Sequence, residues 1–585
     1  MPPSFQRGRT AREPGADGPD PYDDRVTTTS GAVLEEPSAA PEDPAPAPSP
    51  VQRMRDRLVP PMPTDRVWGW VGPLLVTALA GVLRLYDLGK PRDVVFDETY
   101  YAKDAYSLLQ WGYERDIKEP KDQADDRILS GDLDVWSDAP EYVVHPPVGK
   151  WVIAAGEKLF GMDPFGWRVA GAVLGTIAVL VLARVARRMF RSTLLGCFAA
   201  LLLAVDGVAL VLSRTALLDG ILAWFVLFGF ACLVVDRDWG RRRTADHLER
   251  HWSDSIPLGR FTGPDLTLWW RPWRLAAGLF LGLACATKWS GLYFLAVFFV
   301  LALFWDAGAR KAAGFRHYRL GALRRDLLPT LLMLGLLPVV VYVASWSGWI
   351  LHAGEPAGYY RNWAADRGGA TLSVWLPVVD VRLFSTHVPF VPDWWRSLWH
   401  YHAEAYRFHK ELSSPHPYDS GAWAWLPLAR PVAFYYETVK QPQCATDNCS
   451  SAITALGNPL IWWAGILAIF HSLWRLVARR DWRGGAILAG FAGGLLPWIV
   501  LFSDRTIFSF YSVVLVPFLA LAITQAAAAV LGPEDRPGRR SLGTVLVGGY
   551  LAATILLTAY FWPVLTGQVI PYDDWNARMW FQAWI

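Results

Sequence analysis

The chain has 585 residues, of which 53% are hydrophobic and only 19% charged, with 32 tryptophans and a formal net charge of +3. Soluble domains carry about 25% charged residues, so the composition argues against a soluble protein, and tryptophan gathers where an amphipathic ring sits at a membrane–water boundary. The net charge itself says little, because the charges are unevenly placed, and nothing in it calls for a nucleic-acid partner.

Residues 1–62 are rich in Pro, Ala, Asp, Glu and Arg and lack apolar periodicity. Such a segment cannot bury enough surface to offset its chain entropy, and we read it as a disordered cytoplasmic tail. The first apolar run starts too late for a signal peptide. That run, Val67 to Tyr86, has the length of about 20 residues needed to cross a hydrocarbon core. Further spans are expected near 166–186, 194–212, 216–235, 275–288, 290–305, 327–346, 458–477, 484–502, 508–530 and 541–562. The pair 275–288 and 290–305 is short, with Lys288 between, and one tilted helix is the alternative there.

The positive-inside rule supplies an independent check. With the tail in the cytoplasm, the basic clusters Arg184–Arg191, Arg241–Arg243, Arg310–Arg325, Arg475–Arg483 and Arg536–Arg540 all fall inside. Merging the doubtful pair would put the later clusters outside. The expected fold is therefore an all-α integral membrane bundle of about 11 spans, residues 63–585, in the plasma membrane. Two long loops, 87–165 and 347–457, lie on the extracytoplasmic side. Cys444 and Cys449 sit in the second, close enough in sequence to close a small disulfide or to stay free. No Gly-x4-Gly-Lys-Ser/Thr and no Gly-x-Gly-x-x-Gly occurs, so neither a nucleotide hydrolase nor a dinucleotide fold is indicated.

Four groups of residues carry chemistry. In Val94-Val-Phe-Asp-Glu-Thr-Tyr-Tyr101, just past the first span, Asp97 and Glu98 lie between apolar neighbours. A carboxylate there can take the proton of an attacking hydroxyl, or simply belong to an acidic loop. In His145-Pro-Pro-Val-Gly-Lys150 the prolines start a helix whose amides, with Lys150, attract an anion; the alternative is a membrane-resting junction. Arg168, Arg214, Lys288 and Arg505 are basic residues at outer boundaries, where each needs a partner. Phosphate suits them, although Arg214 and Asp219 can instead pair with each other. For Lys288 no acidic residue nearby in sequence offers a pair. The second loop holds many aromatics with His400, His402, His409 and His416, whose spacing matches no compact metal-ligand pattern.

Taken together these stretches resemble the protein O-mannosyltransferase family, bacterial branch. The matching boxes are Phe96-Asp97-Glu98, His145-Pro-Pro-Val-Gly-Lys150, Leu212-Ser-Arg-Thr-Ala-Leu-Leu-Asp219, Thr287-Lys-Trp-Ser-Gly291, His416-Pro-Tyr-Asp with Trp423-Ala-Trp425, Phe510 to Pro517, and Arg578-Met-Trp580. The resemblance implies a GT-C fold, a polyprenyl-phosphate-mannose donor, and Ser/Thr hydroxyl acceptors on exported proteins, with membrane lipid and the export translocon as further partners. It implies Asp97 as general base, Glu98 beside it positioning acceptor or sugar, and Lys288 and Arg168 on the donor phosphate. Arg214, His145, Lys150 and Asp219 complete the substrate-binding set. The lipid-linked sugar is a substrate; no cofactor and no metal are expected. The second loop is too short for the inserted β-trefoil domain of eukaryotic members. A GT-C transferase with another sugar or a lipid acceptor, and a polyprenyl-linked sugar transporter, are the competing readings.

Overall fold

The computed structural model describes residues 49–251, 266–352, 358–367, 391–442, 444, 446–533 and 535–585, with the backbone alone for Thr371–Leu376 and Val381–His387. The helices, in chain order, begin with α1 (Pro50–Leu58), α2 (Trp68–Leu85), α3 (Glu98–Trp111), α4 (Lys121–Leu129) and α5 (Val148–Phe160). Then come α6 (Pro164–Phe190), α7 (Thr193–Val205), α8 (Gly207–Arg214), α9 (Leu218–His251), α10 (Pro272–Cys285), α11 (Gly291–Ala312) and α12 (Tyr318–Arg325). The second half holds α13 (Leu327–Ser345), α14 (Asp393–Glu411), α15 (Pro459–Arg479), α16 (Trp482–Gly494), α17 (Ser509–Leu531) and α18 (Pro537–Thr566).

Every expected span coincides with helix. Among the described residues eight helices are long and apolar enough to cross a membrane: α2, α6, α9, α11, α13, α15, α17 and α18. The expected span 194–212 is a bent pair, α7 and α8, turning by 62°. The expected spans 275–288 and 484–502 are the short α10 and the short α16, the latter followed by one further turn at Leu496–Val500. Lys288 lies in the corner between α10 and α11, so the two remain separate helices.

Two expectations need correction, and short strands add to the expected helical bundle. The disordered tail was set at 1–62; residues 1–48 lie outside the described residues, but α1 buries Met54 and Leu58 against Ala245 and Leu248. The loop expected from 236 is helical to His251. The fold is not all helix either: among the described residues β1 (Arg115–Ile117) pairs with β2 (Trp136–Pro140), and β3 (Thr371–Leu376) with β4 (Val381–His387). A three-stranded sheet runs β5 (Val432–Val439), β6 (Cys449–Ala455), β7 (Val569–Pro571). The disulfide Cys444–Cys449 closes the β5–β6 connection.

The core sits on α9, whose apolar window is 89% buried, and on α17, 78% buried. Phe230 of α9 meets Phe518 of α17 edge-on at 5.2 Å. At the rim α18 leaves Leu542, Val545, Leu546 and Leu556 exposed. Apolar side chains facing outward cost nothing in hydrocarbon, where lipid is as apolar as they are.

The α7–α8 bend positions the site. Asp206 occupies the break and caps α8 through the amide of Ala209, 3.0 Å. A Cβ on Gly207 would stand 2.0 Å from the Leu456 carbonyl, so only glycine permits this close approach. Breaking a helix frees carbonyls that must find donors. The buried guanidinium of Arg84 takes those of Leu203 and Ala204, each at 3.3 Å.

Candidate active site

Asp97 is the residue just before α3 and does not cap it with its side chain. Its half-buried carboxylate accepts no hydrogen bond from the described residues. Burial lifts its carboxyl to about 6, with Lys288 opposing and Asp219 adding to the rise. The preceding Phe96 has φ of +53°, the left-handed region that costs a non-glycine residue energy. Its ring is held between Phe434, stacked at 4.7 Å, and Phe510, edge-on at 5.6 Å. Two distant segments thus hold the conformation that presents Asp97.

Glu98, one residue on, is 0% exposed and fully engaged. It receives Arg168 through Nε at 2.8 Å and Nη2 at 2.7 Å. It also receives the amides of Val95 at 2.9 Å and Ala216 at 3.0 Å. The rest of Arg168 donates to the carbonyls of Leu88, Pro91 and Asp93. All five N–H groups are spent, so in this structure Arg168 has none for the donor phosphate assigned to it from sequence.

Two other expected phosphate contacts are also committed elsewhere. Arg214 donates to the carbonyls of Leu83, Arg84, Tyr86 and Asp87, at 2.8 to 3.3 Å. A cation there satisfies the last carbonyls of α2 and complements its dipole. It makes no pair with Asp219. Lys150 is 0% exposed on the face of α5 that packs on α3, bonded to Glu114 and, at 3.4 Å, to Asp104.

Asp219 instead holds Lys288, whose Nζ lies 2.9 Å from each carboxylate oxygen. The same ammonium stands 4.3 Å from the ring centroid of Tyr511. Tyr511 is within electrostatic reach of Lys288, Asp219, Arg505 and Asp97 alike. The imidazole of His145 stacks on His409 at 5.3 Å and lies 6.2 Å from Tyr101. Burial, with Lys288 and His409 beside it, holds His145 well below its ordinary value, so it is neutral.

Arg505 completes the constellation, and the family boxes did not mark it. His409 donates from Nε2 to the Val144 carbonyl at 3.2 Å, which leaves Nδ1 to accept from Arg505 Nη2, also at 3.2 Å. Burial and Arg505 lower His409 to about 4, so it stays a neutral acceptor. The Nε of Arg505 is buried with no partner among the described residues. This guanidinium retains a free donor where Arg168 does not. The signal in sequence was its place at a span boundary, which Arg168 and Arg214 share; only their partners distinguish them. Trp289, next to Lys288, donates to Tyr342 at 2.8 Å, whose hydroxyl meets His402 at 2.6 Å. This ties α14 over the site. Among the described residues no group of three His, Cys, Asp or Glu side chains is arranged to hold a metal.

The arrangement combines an unpaired carboxylate of raised pKa, an ion-paired lysine and a partly free guanidinium. Together they can accept a proton and hold a phosphate anion at one place.

Two family descriptions match the chain. "Dolichyl-phosphate-mannose-protein mannosyltransferase" covers residues 74–347, and "C-terminal four TMM region of protein-O-mannosyltransferase" covers 394–584. The first includes Asp97, Asp219 and Lys288; the second includes His409, Arg505 and Tyr511. A polyprenol-phosphate-mannose–protein mannosyltransferase of Mycolicibacterium smegmatis (strain MKD8) is 41% identical over 532 residues, 89% of this chain and 94% of that protein. One of Mycobacterium tuberculosis is 38% identical over 537 residues, 89% and 93% of the two chains. In structure, a chain of the Saccharomyces cerevisiae protein O-mannosyltransferase Pmt1–Pmt2 complex bound to the sugar donor superposes with a TM-score of 0.61 at 14% identity. That match covers 91% of this chain and 94% of the other and shows the likeness of fold.

Proposed function

The chain belongs to the protein O-mannosyltransferase family, whose bacterial members transfer mannose from a polyprenyl phosphate to protein, and we propose how its own residues perform that transfer. It is a GT-C membrane glycosyltransferase. The acceptor is a Ser or Thr hydroxyl of a protein leaving the cytoplasm, delivered at the extracytoplasmic face of the plasma membrane. The clustering of arginines at the opposite ends of the helices supports that orientation.

The acceptor oxygen attacks C1 of mannose while its proton passes to the Asp97 carboxylate. The bond from C1 to the phosphate oxygen breaks, and its electron pair leaves on polyprenyl phosphate. Attack and departure on opposite faces invert the sugar carbon. Lys288 and Arg505 neutralise the departing phosphate, a stabilisation that is strong where water is excluded. Asp219 and His409 hold these two cations in place. Neutral His145 lies among them, where it can hydrogen-bond the sugar. Glu98, Arg168, Arg214 and Lys150 are framework.

The observation that carries this reading is the Asp97 carboxylate, unpartnered beside Lys288 and lifted to about 6. The test is transfer from radiolabelled polyprenyl-phosphate mannose to a Ser/Thr-rich peptide in purified membranes. Asp97→Asn should lower turnover by roughly two to four orders of magnitude, the share of a general base. Arg505→Gln in the same assay should raise the KM for the donor. Undiminished transfer by Asp97→Asn would remove Asp97 from catalysis.

A further inference from the structure

At the end of the bundle away from Asp97, α9 carries Arg237, Arg241 and Arg242, about 30 Å along the helix from Asp219 at 1.5 Å per residue. One carboxylate, Asp238, serves this region. It takes Arg237 at 3.0 Å, Arg188 at 3.1 Å and Arg191 at 3.3 Å. The neighbouring acids are occupied: Asp236 by Arg271 and Arg274, and Asp246 and Glu249 by Arg55. Arg241 and Arg242 therefore find no ion pair among the described residues, and the Nε of Arg241 is buried without a hydrogen bond. Arg57 and Arg191 add positive potential at Arg241, against the Asp238 carboxylate.

Beside this cluster lies a cavity of about 220 Å³. Arg191, Asp238 and Arg242 form its charged wall, and Leu58, Val59 and Met62 its apolar one. An inside bias of positive charge accounts for exposed arginines at this end. It does not account for three arginines sharing one acid that itself lines a cavity, nor for a buried guanidinium nitrogen left bare nearby, which is costly. Guanidinium groups bind phosphate in a fork. An apolar wall beside them, at the level where a span leaves the membrane, fits the start of an acyl chain.

We propose that this cavity binds the phosphate group of an anionic lipid, held by Arg191 and Arg242, with Arg241 supplying further charge. The bound lipid links the segment after α1 to the ends of α6 and α9, remote from the transfer site.

The experiment uses the full chain purified in an uncharged detergent. Binding is read by native mass spectrometry and by the shift in melting temperature. The probes are phosphatidylglycerol, phosphatidylcholine and inorganic phosphate. Phosphatidylglycerol should bind the wild type and the control Arg324→Gln alike; the control makes the same single charge change as Arg242→Gln on an exposed side chain. Its affinity should fall at least tenfold in Arg241→Gln/Arg242→Gln, and at least threefold in Arg242→Gln alone, where an exposed side chain takes little packing with it. Phosphatidylcholine should bind all forms equally. Equal phosphatidylglycerol binding by wild type and both variants would overturn the site. Inorganic phosphate binding as tightly as phosphatidylglycerol would overturn the lipid as its source.

Discussion

Asp97 and Glu98 are adjacent carboxylates with opposite fates. Successive residues at a helix start point about 100° apart, so one lies towards Lys288 and the other faces Arg168 in the packed interior. The consequence for Asp97 is a pH dependence. A base acts in its ionised form, so kcat/KM should rise with pH through about 6 and level off above it. Asp97→Asn should lack that limb, and an acid limb centred near the ordinary carboxylate value would contradict the assignment. Stability runs the other way. A carboxyl raised in the folded state lends stability below its unfolded value, and that contribution is lost as pH rises through about 6. At neutral pH the ionised Asp97 therefore works against folding, and Asp97→Asn should keep or raise the melting temperature while it lowers turnover. Lys288 shows how far sequence proximity can mislead. No acid stands near it in the chain, yet Asp219, 69 positions earlier, takes its ammonium with both oxygens.

Among elements, the decisive joint is Glu98 with Arg168. It ties the start of α3 to α6, and through the Ala216 amide to the turn between α8 and α9. Removing one partner of such a buried pair leaves the other charge uncompensated, at a cost of about 3–5 kcal/mol. Glu98→Ala should therefore lower the melting temperature or the yield of folded protein, unlike Asp97→Asn. A Glu98→Ala protein that melts with the wild type but loses turnover would mean that Glu98 acts on substrate after all. The long apolar spans were legible because length and hydropathy depend on the residues of each segment alone. The polar extension of α9 was not, since its residues carry no span signal. Helices α3 and α4 were missed as well, being short and outside the apolar runs, whereas the start of α5 was marked by its prolines.

On the scale of the whole molecule, the bundle separates two electrostatic ends. One holds Asp97, Lys288 and Arg505; the other holds the arginine cluster on α6 and α9. The proposed orientation is checked by thiol labelling in intact cells. Ser130→Cys, exposed in the first loop, should react with a membrane-impermeant maleimide, and Gly538→Cys, exposed at the start of α18, should react only after permeabilisation. The reverse pattern would turn the molecule over.

The sequence by itself determined that the chain is a multi-span membrane protein. It also ordered the spans, marked the family boxes, and singled out Asp97. These follow from hydropathy, charge bias and motif, properties written along the chain. Only the tertiary structure decided which outer-boundary cations are spent and which are free. Arg168, Arg214 and Arg505 look alike in sequence, and a guanidinium's availability depends on partners that folding brings from 70 positions away, or from 130. Lys150 was withdrawn in the same way, by Glu114 and Asp104 on elements packed against its own.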